Sequence, residues 1–268
     1  MFQCRLIFTI ACLALSISAG AEDVVMLSTR GGATQSYLLA VPATGKPRAV
    51  AILFPGGPGK VNLEREAGRT VLDRGNFLVR SRRLFSDAGV AAAVVDAPSD
   101  QAKGMHNSFR KSEAHAEDIR AVVNDLRKRY AGLPVYLVGT SMGTVSAAYV
   151  GRALGTEVAG VVLTSSAFNP SGRRSKHGDS NLSDFDLADI KAPVLLVHHR
   201  EDGCVTCPYD EASRRAGKIP LISVTGGRAP ESGPCEAMSA HGYLGKEDVT
   251  VEAISNWMEK KPYRNEIN

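Results

Sequence analysis

Two hydrophobic patterns alternate along this chain. Short, nearly continuous apolar runs are typical of strands buried on both faces of a sheet, and longer segments with apolar residues every three or four positions are typical of amphipathic helices. Near the start, two short strands at residues 24–27 and 36–41 flank Gly31-Gly32, which indicates a hairpin. The further predicted strands are residues 49–54, 90–95, 135–138, 158–164, 194–198 and 221–224.

The strongest helical pattern lies at residues 112–130, where apolar residues form one stripe and Ser112 is placed to cap the N-terminus. His115 falls among the charged residues of this segment, and we expect it on the solvent-exposed face. Further helices are predicted at residues 77–88, 144–154 and 249–258. Apolar strands that alternate with helices predict a mostly parallel α/β sheet with helices on both faces, with ligands bound at the carboxyl ends of the strands.

Composition and charge narrow the class of protein. Of the 268 residues, 44% are hydrophobic and 22% are charged, as in an ordinary globular protein, and no linker or repeat divides the segment 22–268 into two domains. The formal net charge of +4 is weak, and no nucleic-acid-binding motif or basic helix accompanies it. We therefore expect one domain that does not bind nucleic acid.

Residues 1–21 have the pattern of an export signal. Arg5 precedes an apolar run at residues 6–17, and Ala19-Gly20-Ala21 offers the small residues of a cleavage site. The run is shorter than the ~20 residues that span a bilayer, so a membrane anchor is the less favoured alternative. We predict cleavage before Glu22, no stable membrane insertion of the mature chain, and a secreted or periplasmic location.

A G-x-S-x-G motif carries the most specific chemical signal. The sequence Gly139-Thr140-Ser141-Met142-Gly143 stands between a predicted buried strand and a predicted helix, the setting of a nucleophile elbow. Its glycines allow a tight turn, and the helix N-terminus behind it offers backbone donors. Ser141 is therefore the predicted nucleophile.

A nucleophilic serine also needs donors for the oxyanion that develops during acyl transfer. The amide of Met142 follows the nucleophile, and the loop Pro55-Gly56-Gly57-Pro58-Gly59 after strand 49–54 can present a second amide. We predict an oxyanion hole made by Met142 and by Gly57 or its neighbour Gly56. The sequence leaves the choice between the two glycines open.

The acid and the base of such a site follow the serine in that order. Asp202 lies just past strand 194–198, with Glu201 as its competitor, and His241 is the only histidine after either acid. The predicted catalytic triad is therefore Ser141, Asp202 and His241.

Other histidines and acids are expected to play no part in catalysis. His198 and His199 are adjacent on a strand, so their side chains point to opposite faces and a shared metal is not expected. No metal and no other cofactor is predicted. Asp96 and Asp100 follow strand 90–95, where capping of the loop is favoured over a place in the pocket.

Together these motifs resemble the α/β-hydrolase superfamily over essentially all of the chain after residue 21. The resemblance rests on Phe54-Pro55-Gly56-Gly57, the elbow at Ser141, the strand that leads to Asp202, and His241-Gly242. Within the superfamily the chain is similar to small exported serine hydrolases of the esterase and dienelactone-hydrolase branches. It departs from many relatives between strands 158–164 and 194–198, where too few residues remain for a large helical cap.

The resemblance implies cofactor-free hydrolysis of a small-molecule, ester-like substrate through an acyl-enzyme intermediate. A peptidase, an amidase or a thioesterase uses the same triad and remains an alternative. A catalytically inactive binding module of the same fold is a further one. The natural substrate, the acyl-chain preference and the oligomeric state are left open.

Three cysteines follow residue 21, all near the predicted acid and base. Cys204 and Cys207 lie just after the acid and Cys235 lies just before the base, so we predict a disulfide between Cys235 and one of the other two. Cys204 is favoured because Pro208 directly after Cys207 suggests that the chain is turning away. The alternative is a redox C-x-x-C pair of Cys204 and Cys207, although no helix start that would lower a thiol pKa is evident at Cys204.

Overall fold

The computed structural model describes residues 22–43, 45–66, 69–71, 75–170 and 181–268. The predicted export signal at 1–21 lies outside the described residues, and so do residues 171–180 of the polar segment between strands 158–164 and 194–198. Among the helices that are described, none has the length and apolar composition needed to cross a membrane.

The strands are built mainly from the apolar runs of the sequence. They are β1 (Glu22–Ser28), β2 (Thr34–Ala40), β3 (Ala49–Phe54), β4 (Glu64–Glu66), β5 (Arg69–Val71), β6 (Val90–Val95), β7 (Val135–Thr140), β8 (Gly160–Thr164), β9 (Val194–His199), β10 (Leu221–Val224) and β11 (Glu266–Ile267). β4 and β5 form a separate two-stranded ladder.

Nine strands form the central sheet in the order β1-β2-β6-β3-β7-β8-β9-β10-β11. The hairpin of β1 and β2 is antiparallel, and β2 also pairs antiparallel with β6. All pairs from β6 to β11 are parallel. Every residue of β3, β6, β7, β8 and β9 is buried, as expected for strands covered on both faces. The predicted, mostly parallel sheet is confirmed.

Helices cover both faces of the sheet. They are α1 (Phe77–Arg80), α2 (Arg82–Asp87), α3 (Asn107–Arg110), α4 (Glu113–Arg129), α5 (Gly143–Leu154), α6 (Tyr209–Ala216) and α7 (Glu247–Met258). Apolar residues of α4, α5 and α6 pack in one hydrophobic core, and those of α1, α2 and α7 pack in a second core on the opposite face. Helices therefore cover both faces of the sheet. A substrate can bind at the carboxyl ends of the parallel strands, where ligands of such sheets bind.

Several element boundaries differ from those predicted. The predicted helix 77–88 is two helices, because Ser81 leaves helical geometry at φ −90° and ψ 0°. β8 begins at Gly160 instead of residue 158. β11 was not predicted, because two residues are too few to show a strand pattern.

The expectation that His115 faces solvent is wrong. Its side chain is buried, and its ring packs against Phe54 and Phe109. His115 lies four residues before Ile119, so it continues the apolar stripe of α4. The cap of that helix is as predicted, since the Ser112 hydroxyl accepts a hydrogen bond from the His115 amide.

Candidate active site

The nucleophile elbow lies where β7 ends and α5 begins. Ser141 has a φ of 51°, in the left-handed region that side chains other than glycine avoid. Its amide donates to the Thr164 carbonyl at 3.1 Å, and its carbonyl accepts from the Thr144 amide at 2.9 Å. The turn needs glycine at position 143, because a Cβ there would lie 2.1 Å from the Phe54 carbonyl oxygen. The backbone therefore presents Ser141 at the carboxyl edge of the sheet, as the motif predicted.

Asp202 and His241 meet from two different loops. The Nδ1 atom of His241 lies 2.9 Å from Oδ2 of Asp202, and both side chains are buried. The other carboxylate oxygen, Oδ1, accepts from the Cys204 amide at 2.9 Å. Each oxygen of Asp202 therefore has a fixed partner, which sets the direction of the imidazole ring.

His241 is held by its backbone as well as by its ring. Its amide donates to the Ser239 hydroxyl at 3.2 Å, and its carbonyl accepts from the Ser165 hydroxyl at 2.8 Å. The Nε2 atom is buried and has no hydrogen-bond partner among the described residues. The ring thus offers one free nitrogen, on the side away from Asp202.

Ser141 and His241 line the same cavity, which has a volume of about 270 Å³. Gly56, Gly57 and Cys235 also line it. The structure therefore brings the predicted nucleophile, base and oxyanion loop to one opening, with the predicted acid behind the base.

Glu201, the competitor for the acid, lies elsewhere. Its side chain is 63% exposed, and its carboxylate accepts from the Gly226 amide at 3.2 Å and lies 4.0 Å from His199. Asp202, by contrast, contacts the His241 ring through its carboxylate. The geometry thus favours Asp202 over Glu201.

The oxyanion loop approaches the nucleophile closely. A Cβ on Gly56 would lie 3.0 Å from the Cβ of Ser141, so only glycine fits without displacement. Gly57 follows with a φ of 56°, a conformation that glycine adopts without strain. Within the described part of the chain, the amides of Gly56, Gly57 and Met142 donate to no other group. The choice between the two glycines as second oxyanion donor therefore stays open.

A buried arginine that the sequence did not single out supports this loop. Arg110 is fully buried in α3, and it donates to the Gly57 carbonyl at 2.8 Å and to the Ser146 hydroxyl of α5 at 2.9 Å. Burial lowers its pKa to about 10, and no described carboxylate offsets that effect. Arg110 thus ties the oxyanion loop to the helix behind Ser141. A lone arginine in a four-residue helix gave no pattern by which to find it.

The predicted disulfide between Cys204 and Cys235 is confirmed. It joins the loop that bears Asp202 to the loop that bears His241. Among the described cysteines Cys207 is the free one, so the redox C-x-x-C alternative is not formed. Cys207 is buried, and burial raises the pKa of its thiol to about 12.

The remaining candidates have structural roles. Asp96 accepts from the amides of Val61, Leu63 and Ala97, which confirms loop capping. Asp100 forms an ion pair with Arg30.

His198 lies on β9, beneath the loop that bears Asp202. It is buried, and its Nε2 accepts from the Ser166 amide at 2.8 Å. Burial, with a smaller contribution from His241, lowers the pKa of His198 to about 3, so the ring is neutral. His199, its neighbour on β9, contacts the Gly226 carbonyl at 2.9 Å instead. The two rings have different partners, as expected for adjacent residues of a strand.

A family profile described as serine aminopeptidase, S33, matches residues 88–178, about a third of the chain. No curated protein gives a significant sequence match. Solved structures match over most of the chain at low identity. An α/β serine hydrolase without a lid from Xanthomonas campestris is 13% identical, with a TM-score of 0.59 over 89% of this chain and 94% of that one.

Two further structures show the same fold. Est1E from Butyrivibrio proteoclasticus, with ferulic acid bound, is 16% identical with a TM-score of 0.62 over 88% of this chain and 99% of its own. A dienelactone hydrolase from Anabaena variabilis is 13% identical with a TM-score of 0.59 over 91% and 99% of the two chains.

The sheet order, the helices on both faces and these similarities define a protein of the α/β-hydrolase fold. Between β8 and β9, the described residues 165–170 and 181–193 form no helix longer than the single 3₁₀ turn Leu187–Asp189, so they include no large cap. Within that fold the chain is similar to esterases and to a dienelactone hydrolase, which agrees with the resemblance seen in its sequence.

Proposed function

We propose that the protein is a serine hydrolase that cleaves a carboxylic ester through an acyl-enzyme formed on Ser141. One observation carries the proposal. His241 is bound at Nδ1 by the buried carboxylate of Asp202, and its unpartnered Nε2 belongs to a ring that lines the same cavity as Ser141. A base with one nitrogen oriented and the other free is what a serine nucleophile requires.

The mechanism follows from the roles of these groups. Nε2 of His241 takes the Ser141 proton as the hydroxyl attacks the carbonyl carbon, and the amides of Met142 and of Gly57 or Gly56 stabilise the oxyanion. Asp202 stabilises the imidazolium that forms. The imidazolium then protonates the leaving alcohol, and a water activated by the same ring releases the acid.

Hydrolysis of an aminoacyl or peptide amide is the second candidate. The match to the serine aminopeptidase profile favours it, because that match includes the elbow at Ser141. The similar solved structures favour an ester, since they include esterases and a dienelactone hydrolase. The chemistry on the enzyme is the same in both cases, so only substrates distinguish them.

The test combines labelling with turnover. A fluorophosphonate should label the protein at Ser141, and Ser141→Ala should abolish both labelling and hydrolysis of short acyl aryl esters. Ser108→Ala, which changes an exposed serine of α3, is the matched control and should behave as the parent. Failure to label the folded parent protein would favour a binding module. Faster turnover of aminoacyl anilides than of esters would favour the peptidase.

We also propose that the protein is exported and cleaved before Glu22. The disulfide supports an oxidising compartment, and the proposed cleavage point coincides with the first residue of β1. N-terminal sequencing of protein from the periplasmic or secreted fraction tests this. A chain recovered in the cytoplasm with Met1 intact would contradict it.

A further inference from the structure

A compact group of metal-binding atoms lies beside the proposed triad. The Sγ atoms of Cys204 and Cys207 and a ring nitrogen of His241 all lie within 4.8 Å of one another, and the three residues are buried. We propose that reduction of the Cys204–Cys235 disulfide turns this group into a Zn²⁺ site, and that zinc bound there inhibits the enzyme. The site does not depend on the proposed function, but the inhibition does.

His241 is already oriented as a zinc ligand. Zinc-binding histidines almost always donate their second ring nitrogen to a carboxylate or carbonyl, which fixes the ring and raises its basicity. Asp202 occupies that position at 2.9 Å from Nδ1. The Nε2 atom is buried and without a described hydrogen-bond partner. A metal at Nε2 would complete the carboxylate–histidine–zinc arrangement.

The two cysteines are spaced as zinc ligands are. They form a C-x₂-C turn in which the Cys207 amide donates to the Cys204 carbonyl at 2.9 Å, and this spacing is common in structural zinc sites. The Thr206 hydroxyl lies 3.1 Å from Sγ of Cys204 and 3.4 Å from Sγ of Cys207, so it contacts both sulfurs. The turn therefore keeps the two sulfurs on the same side.

The disulfide decides whether the site can bind metal. While Cys204 is bonded to Cys235, Cys204 cannot act as a thiolate, and Cys207 and His241 alone are too few for a stable zinc site. Reduction frees Cys204 as the third ligand. It also frees Cys235, which lies next to Cys204 before the bond is broken. Cys235 can supply a fourth thiolate ligand, and without it a water molecule takes the fourth coordination position.

The bond can be reached by a reductant. Cys235 is exposed and lines the cavity, whereas Cys204 is buried. A thiolate of a dithiol reductant attacks Sγ of Cys235, the bond to Cys204 breaks, and Cys204 leaves as a thiolate that then takes a proton. The second thiol of the reductant then resolves the mixed disulfide. The protein gains two electrons and two protons, and the reductant is oxidised to a disulfide. Zinc later replaces the protons of the coordinating thiols.

Zinc at this position would prevent catalysis by the proposed mechanism. Nε2 of His241 is the atom that takes the Ser141 proton, and a nitrogen bound to metal has no lone pair for that proton. The inhibited state should be reversed by a chelator. It should not form in the oxidised protein.

The experiment measures metal binding directly. Purified residues 22–268 are reduced with dithiothreitol, desalted without oxygen, and titrated with ZnCl₂ by calorimetry and with CoCl₂ by absorption. Reduced protein should bind one equivalent of each metal, with a thiolate-to-cobalt charge-transfer band. Oxidised protein should show no such band. Circular dichroism of the reduced protein checks that it is folded, since a reduced chain that unfolds would contradict the proposal.

Two variants identify the ligands. Cys207→Ala keeps the disulfide but lacks one ligand, and its reduced form should bind Zn²⁺ at least about tenfold more weakly, since even the loss of an outer partner costs that much. Cys235→Ser cannot form the disulfide and should bind Zn²⁺ without reductant. Equal affinity of the reduced parent and reduced Cys207→Ala would overturn the assignment.

Activity is read separately from binding. Zinc should abolish hydrolysis by the reduced parent and by Cys235→Ser, with recovery in EDTA, and should leave the oxidised parent active. If zinc binds and activity is unchanged, the inhibitory half is wrong. If oxidised protein never hydrolyses an ester, the proposed function fails, and the calorimetry still decides the metal site.

Discussion

Asp202 and Glu201 are adjacent residues with the same functional group and different surroundings. Asp202 is buried and binds the ring of His241 and the amide of Cys204, whereas Glu201 points to solvent. The difference arises from the turn after β9. It makes the two side chains a matched pair for testing which carboxylate serves the base.

We predict that Asp202→Asn lowers kcat by about 10⁴-fold, because an amide cannot hold the imidazole in the correct tautomer or stabilise its charged form. Glu201→Gln should stay within about threefold of the parent, since its exposed carboxylate contacts Gly226 and His199 and not the base. Steady-state kinetics on one aryl ester compares the two variants. If the two effects were exchanged, the acid would be Glu201.

Arg110 is the second residue whose role can be measured. Arg110→Met should lower kcat by about 10- to 100-fold with little change in KM. Loss of the contact to the Gly57 carbonyl frees the loop that supplies an oxyanion donor, and losing a donor outright costs about 10²- to 10³-fold. Arg110→Lys keeps the charge and should recover part of kcat.

Thermal melts of the two arginine variants separate positioning from packing. Lysine and methionine both leave the guanidinium site partly empty, so both should lower the melting temperature. If kcat tracks the melting temperature alone, or if Arg110→Met keeps the parent kcat, Arg110 only stabilises the fold.

Sequence reasoning at this scale succeeded where a residue belonged to a motif. The elbow, the order of acid and base, and the glycine loop all led to residues that share one site. The burial of His115 was not predicted, because its polar residue type was given more weight than its position in the apolar stripe of α4. Arg110 could not be found, because its partners are a carbonyl and a hydroxyl distant in sequence.

At the scale of elements, the disulfide is the main cross-link between loops. Cys204 and Cys235 are 31 residues apart. In the chain-entropy model, closing a loop of that size stabilises the fold by about 3.5 kcal/mol. The bond therefore contributes substantially to holding the acid and base loops together.

The cysteines should give a simple thiol count. In residues 22–268, folded protein at pH 8 should show almost no reactive thiol, because Cys207 is buried and burial raises its pKa to about 12. Unfolding without reductant should expose one thiol, and unfolding with reductant should expose three. Titration with a chromogenic disulfide reagent measures each state. Two or more thiols in the unreduced, unfolded chain would contradict the pairing.

Most elements could be predicted from the sequence because their hydrophobic patterns are long and regular. The buried strands and the stripe of α4 are examples. The break at Ser81 and the strand β11 could not, because each depends on contacts made after folding. The disulfide was predicted because the three cysteines lie near the acid and the base. That prediction depended on the triad, which had already placed the two loops side by side.

For the whole molecule, two buried neutral histidines make stability depend on pH. Burial lowers the pKa of His115 and of His198 to about 3, below the ~6.5 of histidine in an unfolded chain. Between these values the unfolded state binds more protons, so stability falls as the pH drops from about 6.5 towards 3. Each histidine should lower the folding equilibrium constant by about tenfold per pH unit within that window.

Urea denaturation at pH 7 and pH 5 measures this dependence. His115→Gln should reduce the loss of stability between the two pH values, whatever its effect at pH 7. His106→Gln changes an exposed histidine and is the matched control. If the parent and His115→Gln lose equal stability on acidification, the buried ring of His115 is not responsible.

The last residues of the chain close one edge of the sheet. Ile267 is buried, β11 pairs with β10, and Glu266 forms an ion pair with Arg200. An unpaired strand edge can pair with strands of other chains. The short strand β11 covers the edge of β10 that would otherwise be unpaired. A purification tag fused after Asn268 would therefore extend or displace a strand of the central sheet. A handle placed ahead of Glu22 would begin instead at the exposed hairpin on the opposite edge.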